Sequence, residues 1–493
     1  MLAAAARLKL TFVVTLACLG HSYGAHGHLP PSYGGRLEVP LSDRPLSFNP
    51  TLAQRPSELQ LVRLQYDTLF VLRGGRPVAH LLREAPQRSA DKLSWSFLLR
   101  ENVLTHDGKP LTAQEVMASL QAARRGPHGY LFAVIKGIFL RKGRMIIRLK
   151  HPEPRLGLLL STPASAIAVP RGGRILGTGP FTRVRHSAAR VKLVAHALHF
   201  AGRPYLQGLR LRIFSRASEE AAALQVGATQ LSFHGESVFG GQPRHPTRTL
   251  DVASFRTLFL ATGSRRAYLD DATAQRMLAV SIHRDRLARV AGALTRPARE
   301  LVDPLVDPLN DRHRGKKLFD RALAARLRRV LARRFSQLKE PHVDVSLLVD
   351  RSRPADGALV AQLVADLDRV GLTLQVERVS ARLYAQRVAR RDYDLALLQH
   401  APQLAEVHIA LAGVLALGKM LKAAVECAAA RCDLDQGAQR VGRLALIPLV
   451  HMGRRVHYDA RVAGLRARSS GRLSYADVFW LRSASQRKKA RRR

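Results

Sequence analysis

Cysteine, tryptophan and acidic side chains are scarce in this sequence, with three Cys, two Trp and 37 Asp and Glu among 493 residues. Beyond the leader only Cys427 and Cys432 remain, and neither has neighbouring ligands at zinc-site spacing. No later stretch is long and apolar enough to read as a transmembrane helix. The nucleophile elbow GxSxG, the zinc-protease HExxH and the phosphate-cradling GxxxxGKS/T are all missing, so no enzyme signature stands out. Ser, His and Asp are present, but 19 histidines make chance proximity expected. No internal repeat divides the chain.

Positive charge is abundant. Lys and Arg total 80, for a formal net charge of +43, a field that draws polyanions. The arginines are spread along the chain and punctuate apolar runs, as a composition bias over the exposed face would place them. Two stretches look like dedicated patches. One is Lys316 to Arg334, read as a helix; the other is the tail Gln486 to Arg493, expected to be disordered and to touch anionic envelope polymer or lipid. Neither carries interleaved aromatics, so no specific nucleic acid is expected as a partner. A hydrophobic content of 46% suffices for packed cores, and a chain this long is expected to divide into two or three lobes.

The N-terminus reads as an export signal. Arg7 and Lys9 precede an apolar run from Leu10 to Leu19. A helix of about ten residues spans roughly 15 Å, half the hydrocarbon thickness of a membrane, which fits a cleavable leader over residues 1–25. Ser22 and Gly24 supply small residues for cleavage. Thr15-Leu-Ala-Cys18 resembles a lipoprotein box with Thr where Leu is usual, making Cys18 the candidate lipidation site. The expected location is the periplasm, or attachment outside the cytoplasmic membrane or at the outer membrane. In such an oxidising place Cys427 and Cys432 are expected to close a short disulfide loop.

Strands are expected over Arg36–Leu41, Leu93–Arg100, Ile138–Leu140, Arg144–Leu149, Val191–Val194 and Leu209–Phe214, with a helix over Ser57–Phe70. His106-Asp-Gly-Lys-Pro110 is a turn: Asp107 caps, Gly108 tolerates positive φ, and Pro110 disfavours a helix before it. Thr112 and Glu115 form a capping box for a helix to Arg125. Asp271 caps a helix expected over Ala272–Leu294. Strand Val343–Val349, helix Ala358–Val370 ending near Gly371, and strand Leu372–Val379 make a βαβ unit, with Asp392–Leu398 a further strand. The pattern is α/β.

These motifs, in this order, resemble the family 5 extracellular solute-binding proteins that serve peptide, dipeptide, nickel and related ABC importers. The resemblance rests on Gly35–Val39, Ser47-Phe-Asn-Pro50, Tyr66-Asp-Thr-Leu69, Trp95–Val103, His106–Ala113 with Glu115-Val116, Thr178-Gly-Pro-Phe181, Ser281–Leu287, Ala365–Leu372 and Ile447-Pro-Leu449. It implies a periplasmic-binding-protein type II clamp with two large lobes and an inserted small lobe. Lobe Ia would comprise 34–60, 178–260 and 455–485, lobe Ib 61–177, and lobe II 261–454, followed by the tail 486–493. It further implies a monomer without cofactor that closes on a small solute between lobes Ia and II and hands it to ABC permease subunits.

Departures from the family pattern bear on the ligand. Peptide binders usually carry an aromatic-rich stretch after the lobe II strand, with an Asp that can meet the peptide ammonium. Here Leu397–Glu406 reads LLQHAPQLAE, with neither Asp nor Trp, and Glu406 is the candidate substitute. Val226–Leu231 likewise lacks an acid. The candidate ligand-binding residues are Tyr66, Asp67, Gly179, Phe181, Phe233, His234, Gln399, His400 and Glu406, acting by hydrogen bonding or apolar contact. Two alternatives stand beside peptide capture. Metal or metal-chelate uptake would use His400, Glu406 and His408, although a helical segment would set the two histidines about two turns apart; His21, His26 and His28 read as leader remnant. The other is a surface-binding role for the basic charge. No resident metal site is expected.

Overall fold

The computed structural model describes residues 31–187, 189–234, 246–292, 294–302, 318–432, 445–468 and 472–481. The leader with Cys18, the residues Lys316 and Lys317, and the basic tail lie outside the described residues.

Period-2 alternation builds a first sheet. In strand Arg36–Pro40, Leu37 and Val39 point inward and are sealed. This strand pairs in parallel with Gly208–Arg212, which is followed outward by Arg190–Ala195 and Phe181–His186, both antiparallel. A parallel pair needs a long crossover, and here the crossover carries a second body of structure. Its antiparallel sheet runs Gln87–Arg88, Ser94–Phe97, Arg144–Leu149, Ile135–Arg141, with Trp95 and Phe97 buried under helix Ala113–Arg125. Thr112 and Glu115 make the expected reciprocal cap: Glu115 N donates to Thr112 Oγ1 at 3.3 Å and Thr112 N to Glu115 Oε2 at 2.9 Å. The apolar core of this inserted body continues into helices Val407–Leu417 and Leu421–Ala428. Cys427 and Cys432 are disulfide-bonded at the end of the second of these helices.

The third core surrounds the βαβ unit. Val343–Asp350 pairs in parallel with Leu372–Val379 on one side and Leu395–His400 on the other, and helix Gly357–Asp368 covers them. Gly371, at φ +74, makes the left-handed turn into the second strand; a Cβ there would meet Pro341 O at 2.2 Å.

Two long strands join the first core to the third. Thr247–Thr262 and Leu446–Asp459 lie antiparallel from Thr247 opposite Asp459 to Ala261 opposite Leu446. Val252 and Val456 sit in the first core, Leu258, Leu260, Ile447 and Leu449 in the third. The register shifts between Val252 and Arg256 and again between Leu258 and Phe259. Such irregularities concentrate bending in a paired ribbon.

Three expected helices are corrected. The one foreseen to Phe70 ends at Gln65, because Tyr66 turns extended and Phe70 opens a new strand, Phe70–Arg73. The one foreseen over Ala272–Leu294 is two helices, Ala272–Ser281 and Arg284–Ala291. Between them Ile282 is extended and buried, His283 N donates to Asp366 Oδ2 at 2.9 Å, and the His283 ring caps the second helix. Asp271 caps the first, as expected. The basic helix begins at Arg321 rather than Lys316, capped by Asp320.

Candidate functional site

The start of helix Pro56–Gln65 faces the end of strand Val343–Asp350, and the two meet through buried charge. Pro56 suits the first helical position. Glu58 gathers the loop before it by accepting from Leu46 N, Ser47 N, Gln54 N and Arg55 N at 2.7–3.1 Å. Arg55, left at the helix mouth, reaches Asp350 Oδ2 at 2.6 Å and Ser352 Oγ at 3.1 Å, and lies 3.5 Å from Asp43. The Arg55 and Asp350 side chains are 10% and 0% exposed. Arg353 stands 3.6 Å from Asp350 and 3.8 Å from Asp356, with its guanidinium 5.1 Å above the Tyr384 ring. Burial works against the Asp350 charge, but Arg353 and Arg55 hold its carboxyl below the usual range.

Beside these pairs lies a cavity of about 450 Å³, within the range of small-molecule sites. Arg55, Pro56 and Glu58 form one wall, His128 and Tyr130 of the inserted body another, and Arg353, Tyr384, Gln399, His400 and Gly413 the third. Gly413 leaves room for the His400 ring, since a Cβ there would fall 2.5 Å from His400 Cε1. Burial, with His128 nearby, pulls the His400 pKa down to about 4, so this imidazole is neutral at pH 7. His400 Nε2 and His128 Nδ1 are buried without a hydrogen-bond partner among the described residues. Buried polar atoms of this kind call for a partner, and both belong to residues that line the cavity. Tyr384 is fixed by donating to Leu397 O at 2.7 Å. A smaller cavity of about 40 Å³ adjoins, sharing Pro56 and Ala401 and lined by Phe233, Arg256, Arg454, Arg472 and Tyr475.

Of the residues expected from sequence, Gln399 and His400 line the larger cavity and Phe233 the smaller. Gln399, with its amide oxygen turned toward Arg256, accepts from Arg256 Nε at 2.8 Å. His234 follows Phe233, its ring 3.9 Å from Glu220. Burial raises the Glu220 pKa to about 7. The remaining residues lie elsewhere. The Tyr66 hydroxyl donates to Phe48 O at 2.8 Å. Asp67 joins the first core to the inserted body by accepting from Thr178 Oγ1 at 2.9 Å and pairing with His80 at 3.0 Å and His199 at 3.3 Å. Burial opposes the Asp67 charge, but the bonds to His199 and His80 win and hold its pKa well below the usual carboxylate range. Gly179 lets its turn press on the helix end, where a Cβ would stand 2.5 Å from the Gln65 carbonyl carbon, and Phe181 is sealed in the first core. Glu406 caps helix Val407–Leu417 and pairs with Arg155 at 3.3 Å and His408 at 3.0 Å. Strand and helix are thus separate around residues 400–408, and among the described residues no three His, Cys, Asp or Glu side chains gather as a metal site.

Sequence reasoning missed Arg55, Tyr130, Asp350, Arg353 and Tyr384. One signal was available. Asp350 ends a parallel strand and Gln399-His400 end its neighbour, and ligands of open α/β sheets gather at the carboxyl ends of such strands.

Among curated proteins the chain is similar to YhjP of Bacillus subtilis, an uncharacterized protein, at 28% identity over 254 residues, covering 50% of this chain and 41% of that relative. The chain spans less than half the length of the curated relatives it matches. Among solved structures it is similar to the oligopeptide-binding protein AppA of Bacillus subtilis in complex with a nonapeptide, with TM-score 0.75, 15% identity, and coverage of 92% of this chain and 100% of that one. It is also similar to MoaA from A. tumefacien R10 in complex with mannopinic acid, with TM-score 0.76, 18% identity, and coverage of 92% and 100%. These likenesses identify the fold as the two-lobed α/β periplasmic-binding-protein type II fold. Residues 76–416, well over half of the chain, match the family described as bacterial extracellular solute-binding proteins, family 5 Middle. The chain belongs to the family 5 bacterial extracellular solute-binding proteins.

Proposed function

We propose that the chain is the extracytoplasmic binding component of an ABC importer. It captures a small solute where the first core, the inserted body and the third core meet, closes over it without a chemical step, and delivers it to permease subunits in the membrane. The observation that carries this is the cavity of about 450 Å³ whose walls come from three distant parts of the chain, with the first core joined to the third by the long two-strand ribbon and by the Arg55–Asp350 pair. A solute that touches all three walls binds the shut form better than the open one, which is what drives closure. The solute is an oligopeptide or a molecule of similar size: AppA was solved with a nonapeptide and MoaA with mannopinic acid. The protein works in the periplasm or tethered outside the cytoplasmic membrane. The lobe division expected from the sequence, with the inserted body at 61–177, is part of this proposal. Among the described residues no helix is long and apolar enough to cross a membrane.

Small-angle scattering of the full chain, before and after its bound solute is stripped by unfolding and refolding, tests this. The stripped chain is expected to be larger and to shrink when the released solute is returned. Identical curves in all three states would contradict a clamp.

A further inference from the structure

The smaller cavity has charged walls of one sign. Arg256, Arg454 and Arg472 all line it, and no Asp or Glu does. Among the described residues none of the three has a carboxylate within ion-pair distance. Arg256 spends Nε and Nη1 on the Gln399 amide oxygen, and Arg472 donates to Pro402 O at 2.9 Å. Arg454 has its guanidinium 3.8 Å from the Phe233 ring centroid, and its buried Nε has no hydrogen-bond partner among the described residues. Burial lowers the pKa of Arg454 and of Arg472 to about 10, helped at Arg454 by Arg256, so both remain cationic at pH 7. Buried Asp356 and Asp43 favour the Arg256 charge and Glu220 the Arg454 charge from beyond contact distance, but no described carboxylate touches the three guanidinium groups, and an anion among them relieves both the desolvation and the mutual repulsion.

Position gives this charge a use. Arg256 and Arg454 stand on the two long strands beside the register shift, and Arg472, which follows the ribbon in the chain, bonds to the carbonyls of the 402–403 segment beyond strand Leu395–His400. At about 10–15 Å³ for each water centre, 40 Å³ holds a few waters, or one compact acidic group whose attached body extends past Pro56 and Ala401 into the larger cavity.

We propose that the transported solute carries a carboxylate or phosphate, which docks between Arg256, Arg454 and Arg472 while the rest of the molecule fills the 450 Å³ cavity. This rests on the solute-binding reading above and narrows it to acidic solutes.

Native mass spectrometry of the full chain, purified undenatured from the envelope of the producing cell, tests the proposal by identifying the co-purified molecule after release. A carboxylate- or phosphate-bearing solute is expected, with fragmentation separating the two. Arg256→Gln and Arg454→Gln should each lower the bound fraction at least about tenfold, while Arg454→Lys, which keeps the charge, and Arg333→Gln, on the exposed basic helix, should retain it. Thermal melts of each variant identify any that fail to fold. A co-purified solute with no acidic group overturns the inference while leaving solute capture standing, as does an acidic solute held equally well by folded Arg454→Gln and Arg256→Gln proteins. A bare chain in every preparation overturns both.

Discussion

Severing Arg55 from Asp350 is expected to loosen the closed form. The contact is 2.6 Å long and nearly sealed from water. At an effective dielectric constant of about 20, two unit charges at that distance attract by roughly 6 kcal/mol, and desolvation of both groups cancels much of it. Removing one partner of a fully buried pair costs about 3–5 kcal/mol. Here Asp350 keeps Arg353 at 3.6 Å and the Ser352 amide at 2.8 Å, so Arg55→Gln should cost less, about 2 kcal/mol. If opening returns both groups to water, that loss falls on closure alone. At about 1.4 kcal/mol per decade it weakens solute affinity roughly 30-fold, mainly through faster release. The assay is a double-mutant cycle of Arg55→Gln and Asp350→Asn read by solute release rate, with an expected coupling of about 1–2 kcal/mol. Release that changes less than about twofold, or a full loss of global stability with unchanged release, would refute the idea that this contact forms on closing.

Acid should destabilise the fold through its buried imidazoles. The folded pKa values of His400 and His106 are pulled to about 4, and that of His451 to about 3, all chiefly by burial. Against an unfolded value near 6.5, the unfolded chain binds more protons as pH falls from about 6.5 to 4, so stability is full above that window and drains within it. Glu220, raised to about 7, works the other way between 4.5 and 7 and trims the effect. Urea melts at pH 7.5, 5.5 and 4.5 should show falling midpoints; constant or rising midpoints contradict the assignment. Gly179→Ala should cost more than about 2 kcal/mol of stability, because its Cβ would meet backbone, Gln65 C at 2.5 Å and Tyr66 N at 2.6 Å, and thermal melts read this directly. At Gly413→Ala the Cβ clashes with the side chain of His400 rather than with backbone, the Tyr130 hydroxyl at 3.6 Å being in ordinary contact, so its melting point should shift less than that of Gly179→Ala while solute affinity falls about tenfold. Equal affinity would remove His400 from the site.

Local features were legible in the sequence because their causes are local. Thr112 and Glu115 announce a helix start by spacing alone, and Gly371 marks the turn between helix and parallel strand. The long strand Leu446–Asp459 was hidden by Pro448, which lacks the amide that an interior strand residue donates. The structure accommodates it at the shift where Phe259 faces Pro448. The break at Ile282-His283 was hidden for a different reason, since Asp366, which stabilises it, is 83 residues away. The same holds for the site. Arg55, His128, Arg353 and Tyr384 each look ordinary in their own segments, and only folding brings them to one cavity. Gln399 and His400 drew notice because they lie in the stretch after the lobe II strand where the family resemblance expects ligand contacts; Glu406 drew notice there as a lone acid, and the fold uses it as a helix cap.

The most direct measurement is a crystal structure of the full chain with its natural solute retained. Density for that solute is expected between Arg55, Tyr130, Tyr384 and His400, with the Arg55–Asp350 contact intact. A solute bound on the outer surface, with the space between the cores filled only by water, would contradict the account.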